Sequence, residues 1–330
     1  MSLASVGEFG LIDQIRKWTN SSNHSIISIG DDAAVFSPKE GWDLVWSVDA
    51  LVEGVHFDRQ YVPMDSLGWK TLAANLSDLA AMGAVPQYAL VSLAVPESWS
   101  VDDIESLYQG MIRCCQSFEC KIVGGDTTRS RKDGYISVTV IGEVEKGRAV
   151  QRSGAGVGDT LFCTGLLGCS KAGFEILSTG ASLEDKEVIK NKFLEPVPRV
   201  KEARWLVQHT LVTAMIDISD GLASEIHHLC QESDVGCFLE ADYIPVQPDA
   251  AQWFASHDRS FIEESITSGE EYELLFTVRT DNPNDLIQMA QEQEIEIHKI
   301  GHMVPQNEGI QIGSSRGSRP LKNQGWNHFQ

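Results

Sequence analysis

Nothing in these 330 residues approaches the roughly 20 consecutive apolar positions a membrane helix needs. No spanning segment is expected. Positions 1–10 carry Glu8, no Lys or Arg and no long apolar run, so no signal peptide is expected either. No C-x-x-C occurs, and the seven cysteines are an odd number. That argues against a zinc site or a disulfide framework and for reduced thiols in a cytoplasm. Basic residues are scarce, 26 Lys and Arg against 47 Asp and Glu, a net charge of −21. A phosphate backbone would be repelled, so nucleic acid is excluded as a partner. The usual nucleotide signatures are missing as well. The stretch from Gly165 to Lys171 is glycine-rich but is not G-x-x-x-x-G-K-[ST], and no G-x-G-x-x-G opens a dinucleotide site.

What is there is an ordinary globular composition, 42% hydrophobic and 22% charged, at a length that usually divides into two domains. The pattern predicts strands over 43–49, 87–95 and 135–144 and a short apolar step at 122–123. Helices are predicted over 66–83 and 101–118. A glycine-rich connection over 147–159 marks the boundary, giving domains 1–147 and 148–330. The second half predicts strands over 160–164, 212–216 and 272–278. Its helices are expected over 170–178, 185–193, 199–209, 222–231 and 284–293, and 314–318 reads as a mobile polar loop. The fold class is α/β: an α+β first domain with a mixed sheet, then an α/β second domain.

Three apolar runs end in aspartate: Leu44-Val-Trp-Ser-Val-Asp49, Ile122-Val-Gly-Gly-Asp126 and Ala214-Met-Ile-Asp217. A carboxylate at the end of a buried strand projects into the crevice where α/β proteins bind ligands. Any one of them could instead cap a turn, and Asp220 before Gly221 fits that role well. Adjacent Asp31 and Asp32 repel, so one of them needs a hydrogen-bond partner or a cation. In the helix over 66–83, Thr71, Asn75 and Asp78 form one polar stripe beside a Leu72, Leu76, Leu79 packing face. A solvated stripe would carry Lys and Glu. Asp32, Asp49, Asp78, Asp126 and Asp217 supply the oxygens that Mg²⁺ takes together with substrate phosphates. The adjacent pair His227-His228 offers no zinc alternative. The residues alone point to an acidic, multi-metal phosphate site.

In this order the motifs resemble the thiamine-monophosphate kinase family, of the aminoimidazole ribonucleotide synthetase-like superfamily. They are Gly7-Glu8-Phe9, Gly30-Asp-Asp-Ala-Ala34, Asp49 with Glu53-Gly-Val-His-Phe57, and Asn75-Leu-Ser-Asp-Leu-Ala-Ala-Met-Gly-Ala84. Gly124-Gly-Asp-Thr-Thr128, Arg152-Ser-Gly-Ala155, Asp217-Ile-Ser-Asp-Gly-Leu222, Gly269-Glu-Glu-Tyr-Glu-Leu274 and Gly325-Trp-Asn-His-Phe329 follow. Two positions depart from the pattern. Val48 stands where the family usually has Thr, and Glu271 where it has Asp.

The resemblance implies ATP-dependent phosphorylation of thiamine monophosphate to thiamine diphosphate, the last step in making that cofactor. It implies a homodimer through the first domain, several Mg²⁺ ions and ATP as co-substrate. By resemblance, Asp32, Asp49, Asp78, Asp126, Asp217 and Asp220 are metal ligands, with Ser47 contributing. Tyr108, Gly125, Asp126, Arg152 and Ser219 contact ATP, and His56, Glu270 and Trp326 contact thiamine monophosphate. No catalytic base is implied, because the acceptor phosphate is largely a dianion above its second pKa of about 6. The alternatives are another ATP-using synthetase of the superfamily, a phosphatase using Asp217 as nucleophile, or a non-catalytic metal-binding module. The first Cys is Cys114, which counts against the selenophosphate synthetases, and the Asp217 to Asp220 spacing counts against the phosphatase.

Overall fold

The computed structural model describes residues 11, 14–19, 37–181, 186–210, 212–314 and 317–326. The Gly7-Glu8-Phe9 and Gly30–Ala34 motifs, Asp32 among them, lie outside the described residues, as do positions 327–330. The chain forms two compact units. One takes Met1–Leu79 with Ala84–Gly147, the other Ala80–Gly83 with Arg148–Gln330.

The first unit runs β1 (Trp42–Val52), α1 (Met64–Ala81), β2 (Val85–Val95), α2 (Val101–Ser117), β3 (Lys121–Arg129) and β4 (Tyr135–Glu145). Its sheet has the order β1-β4-β2-β3. The β2–β3 pair is parallel and the other pairs antiparallel, so the sheet is mixed. Strand alternation sends Ile136, Val138 and Val140 of β4 to a buried face. Leu44, Trp46 and Val48 of β1 point to the other face and are exposed.

Helix α1 is buried nearly all round, with Leu67, Leu72, Leu76 and Leu79 at 0% exposure. It meets α2 backbone to backbone. A Cβ on Gly68 would fall 1.9 Å from the Leu107 carbonyl oxygen, and one on Gly110 would fall 1.7 Å from that of Asp65. Helix α2 starts at a capping box, Ser100 accepting from the Asp103 N–H while the Asp103 carboxylate accepts from the Ser100 N–H.

Two of the three strand-end aspartates are not at strand ends. The β1–β4 ladder continues past Asp49 through Ala50, Leu51 and Val52, paired with Ser137, Ile136 and Tyr135. Asp126 is likewise interior to β3, because its parallel pairing with β2 runs on from Ser92↔Asp126 to Val95↔Arg129. Only Asp217 closes its strand.

The second unit runs β5 (Thr160–Thr164), α3 (Cys169–Thr179), α4 (Glu187–Leu194), α5 (Val200–His209), β6 (Val212–Asp217), α6 (Leu222–Ser233) and β7 (Gly236–Glu240). It continues with α7 (Pro248–Ala255), α8 (Phe261–Ile266), β8 (Leu274–Val278), α9 (Pro283–Gln291), β9 (Ile297–Val304), β10 (Ile310–Ser314) and β11 (Gly317–Pro320). The sheet order is β11-β10-β7-β9-β5-β8-β6, with β5 and β8 buried along their whole length. Leu161, Ile216, Leu222, Ile226, Leu275 and Ile300 belong to its core. Of the expected polar loop over 314–318, the described residues belong to two antiparallel strands, Ser314 ending β10 and Gly317 and Ser318 opening β11, with Gly313 paired to Ser318 and Ser314 to Gly317. Strand β11 is exposed along its length, so no apolar alternation marks it.

Candidate functional site

In the first unit the polar stripe of α1 reaches the buried face of β1. Asn75, fully buried, donates to the Thr71 carbonyl at 2.9 Å and accepts the Asp49 N–H at 3.0 Å. Ser47, two residues before Asp49 on the same face, donates to the Asp78 carboxylate at 2.5 Å. Thus residues i and i+2 of a strand meet residues i and i+3 of a helix, and all four side chains are polar. Thr71 takes no part; its hydroxyl closes on the Leu67 carbonyl at 2.7 Å. Val48 points to the opposite face at 60% exposure, so the departure from Thr there does not touch the Asp49 surface.

Asp126 is exposed on β3. Gly125 precedes it at φ 154°, where a Cβ would fall 1.8 Å from the Val91 carbonyl oxygen. Only glycine lets β3 lie this close to β2. The register aligns Asp49 with Val138, Val91 and Gly125, which leaves Asp126 one residue on and facing the other way. Three strand spacings of about 4.8 Å also separate β1 from β3, roughly 14 Å.

His56 accepts the Val52 N–H through Nδ1 at 3.1 Å, which leaves its proton on Nε2. Tyr108 lies in the core at 3% exposure, its ring 6.1 Å from that of Trp18, and burial holds its phenol well above the ordinary range.

In the second unit Asp217, Ser219, Asp220, Glu270 and Trp326 do come together, around the loop 218–221 between β6 and α6. The Glu270 N–H donates to the Ser219 carbonyl at 2.6 Å, and the Trp326 N–H to the next carbonyl, Asp220, at 3.1 Å. Glu270 and Tyr272 both adopt left-handed backbone, φ 56° and 52°, an uncommon and costly conformation for such residues. The strain sits beside the loop it contacts. Trp326 is 53% exposed and Asp217 buried, while Arg152 is an exposed side chain whose backbone carbonyl accepts from Ser233 at 3.0 Å.

Three buried glutamates went unnoticed in the sequence as site elements. Glu225 accepts the Asp220 N–H at 3.0 Å; burial pushes its carboxyl up to about 7, against the pull of that hydrogen bond and of Arg152. Glu271 accepts from the Gly168 N–H at 2.8 Å, the Ser170 N–H at 3.1 Å and the Ser268 hydroxyl at 2.5 Å, all on Oε1. Its Oε2 is buried with no partner among the described residues, and burial pushes the carboxyl up to about 7. Glu273 is also fully buried, but Lys192 and Arg199 outweigh that burial and hold its carboxyl below the usual range. Buried acids flanking a Tyr give no periodicity signal, and an acid in a first helical turn is commonplace.

Among the described residues no group of three or more His, Cys, Asp or Glu side chains is gathered as a metal site. All seven cysteines are free and buried. No helix among the described residues is long and apolar enough to cross a membrane.

Residues 30–144 match the AIR synthase related protein, N-terminal domain, and residues 156–313 match the C-terminal domain of the same group. The thiamine-monophosphate kinase of Aquifex aeolicus is 35% identical over 338 residues, covering 100% of both chains. That of Bacillus subtilis is 34% identical over 328 residues, covering 98% of this chain and 99% of its own. A solved structure of AaThiL complexed with AMPPCP and TMP superimposes with a TM-score of 0.78 at 32% identity, covering 100% of this chain and 99% of that one.

Proposed function

We infer the reaction from one premise: the chain belongs to the thiamine-monophosphate kinase family, among the AIR synthase related proteins. It transfers the terminal phosphoryl group of ATP to thiamine monophosphate, giving ADP and thiamine diphosphate. What carries this reading is the reach of the likeness, 34–35% identity from end to end of kinases with this activity in their names.

The chemistry asks little of the protein in the way of bases. A phosphate monoester is already largely a dianion at neutral pH, and the obstacle is its repulsion from the triphosphate. Each unit by itself holds donors that suit Mg²⁺: Ser47, Asp49 and Asp78 offer hard oxygens from one strand–helix pair of the first, and Asp217 and Asp220 offer them at the β6 end of the second. Bound there, Mg²⁺ would neutralise charge between donor and acceptor phosphates. We assign Asp32, Asp49, Asp78, Asp126, Asp217 and Asp220 as its ligands, with Ser47. We assign Tyr108, Gly125, Asp126, Arg152 and Ser219 to the nucleotide. His56, Glu270 and Trp326 take thiamine monophosphate. The backbone N–H groups of Glu270 and Trp326 hang from consecutive carbonyls, and a carboxylate and an indole each suit a ligand whose thiazolium is cationic.

The exposed row Leu44, Trp46 and Val48 on β1 is apolar at alternate positions, and we propose it as the homodimer interface. Free buried cysteines fit a cytoplasmic location. The test of function is direct. Purified protein given ATP, thiamine monophosphate and Mg²⁺ is expected to form ADP and thiamine diphosphate in equal amounts. ADP without thiamine diphosphate would contradict the reading.

A further inference from the structure

We propose that Glu225 is a positioning residue for the loop 218–221, fixing where Ser219 and Asp220 point without touching substrate itself. The proposal rests on the kinase reading for what the loop does, and on the backbone for how it is held.

The loop is tied on every side. The Ile218 N–H donates to the Glu273 carbonyl at 2.7 Å, and the Ile218 carbonyl accepts from the Tyr272 N–H at 2.9 Å. The Ser219 and Asp220 carbonyls accept from Glu270 and Trp326, as described above. The Asp220 N–H, which no backbone carbonyl among the described residues takes, donates to the Glu225 carboxylate at 3.0 Å. A side chain only 2% exposed thus satisfies a part-buried backbone donor of the loop from the core side.

Glu225 is also fixed at its other end. Helix α6 begins at Gly221, which has no capping side chain, and the Glu225 N–H closes on the Gly221 carbonyl at 3.1 Å. From the fourth helical residue the carboxylate reaches back past the cap, as the glutamate of a capping box reaches back to the cap itself. A twelve-residue helix therefore sets the angle of the loop. If the acceptor is removed, the 219–220 peptide plane must rotate for its N–H to find a new partner. That peptide also carries the Ser219 carbonyl that holds Glu270, so such a rotation moves Ser219, assigned to the nucleotide, together with Glu270, assigned to thiamine monophosphate.

The experiment compares Glu225→Ala and Glu225→Gln with wild type in two readouts. Glutamine keeps an acceptor oxygen in the same place and loses the charge. In steady-state kinetics Glu225→Ala is expected to lower kcat by about 10- to 100-fold, the size of effect that small misplacements produce. Its KM for both ATP and thiamine monophosphate is expected to rise, with Glu225→Gln staying within about 3-fold of wild type. In amide hydrogen exchange, which needs no turnover, the Asp220 amide is expected to exchange at least about 10-fold faster in Glu225→Ala and near the wild-type rate in Glu225→Gln. Unchanged exchange in Glu225→Ala, or a Glu225→Gln as impaired as Glu225→Ala, would overturn the proposal. Should Glu225→Ala not fold, Glu225→Asp, one methylene short of the Asp220 amide, is expected to speed the same exchange. A wild type that makes no thiamine diphosphate overturns the kinase reading, and exchange alone then decides whether Glu225 holds the loop.

Discussion

Trp326 shows how one residue can change meaning between chain and fold. Its sequence neighbours are polar, and on pattern alone it reads as a tail tryptophan packed wherever apolar surface is nearest. In the fold its backbone is pinned to Asp220 and the residue is 53% exposed, which is why it is proposed as a ligand contact and not as core. A cation–π contact to a thiazolium is worth roughly 0.5–2 kcal/mol. Because it lies away from the transferring phosphoryl group, it acts equally in ground and transition states. Trp326→Ala is therefore expected to raise KM for thiamine monophosphate by about 3- to 30-fold in steady-state assays, with kcat and the KM for ATP moved much less. Glu271 belongs to stability rather than to the site. Its carboxyl titrates near 7 in the fold against 4.5 ordinarily, so between those values the folded protein holds a proton that the unfolded chain has lost. The contribution is fully present below about pH 4.5 and is lost as pH rises through about 7, some 3 kcal/mol in all. Denaturant unfolding of wild type and Glu271→Gln at pH 5 and pH 8 checks this. The variant is expected to gain on wild type at pH 8, and an equal difference at both pH values would contradict the assignment.

At the scale of elements, periodicity located most of the helices and strands to within two or three residues, because α1, α2, β4 and β6 each have a pattern of their own. The failures were physical. Strand β9 breaks its alternation with His, Lys and Gly although Ile297, Ile300 and Met303 are buried, and β11, of Gly, Ser, Arg and Pro, is held by pairing with β10. Asp49 and Asp126 read as strand ends because an acid follows an apolar run, and nothing local announces that the ladder goes on. The Thr71, Asn75, Asp78 stripe was legible as unsolvated polarity, but its partners on β1 were not, since contacts between distant segments leave no mark in either. Glycine was more informative than it looked. Gly68 and Gly110 let α1 and α2 touch, and α1 carries Asn75 and Asp78. Gly110→Ala places a methyl against a carbonyl of α1 and is expected to cost about 3 kcal/mol or more, lowering the melting temperature by about 5 °C or more. Gln109→Ala, exposed on the same helix, should melt within about 1 °C of wild type. Equal melting of the two variants would mean that the helices can separate without penalty.

For the whole molecule, charge and exposure set the terms. An excess of 21 negative charges is compatible with binding two phosphorylated substrates only where cations stand between carboxylate and phosphate. The apolar row Leu44, Trp46 and Val48 on β1 would be left wet in an isolated chain. Trp46→Glu, at the centre of that row, is expected to give a monomer in light scattering where the wild type gives the proposed dimer, and a dimer unchanged by the substitution, or a monomeric wild type, would contradict the proposed interface. The central claim is direct phosphoryl transfer between two bound phosphates. Its sharpest test is a single turnover with ATP labelled in the terminal phosphoryl group, thiamine monophosphate and Mg²⁺. The account predicts that the label passes into the terminal phosphoryl group of thiamine diphosphate and that none is ever found on the protein. Label released as inorganic phosphate or trapped on an aspartate, with no labelled thiamine diphosphate, would contradict it.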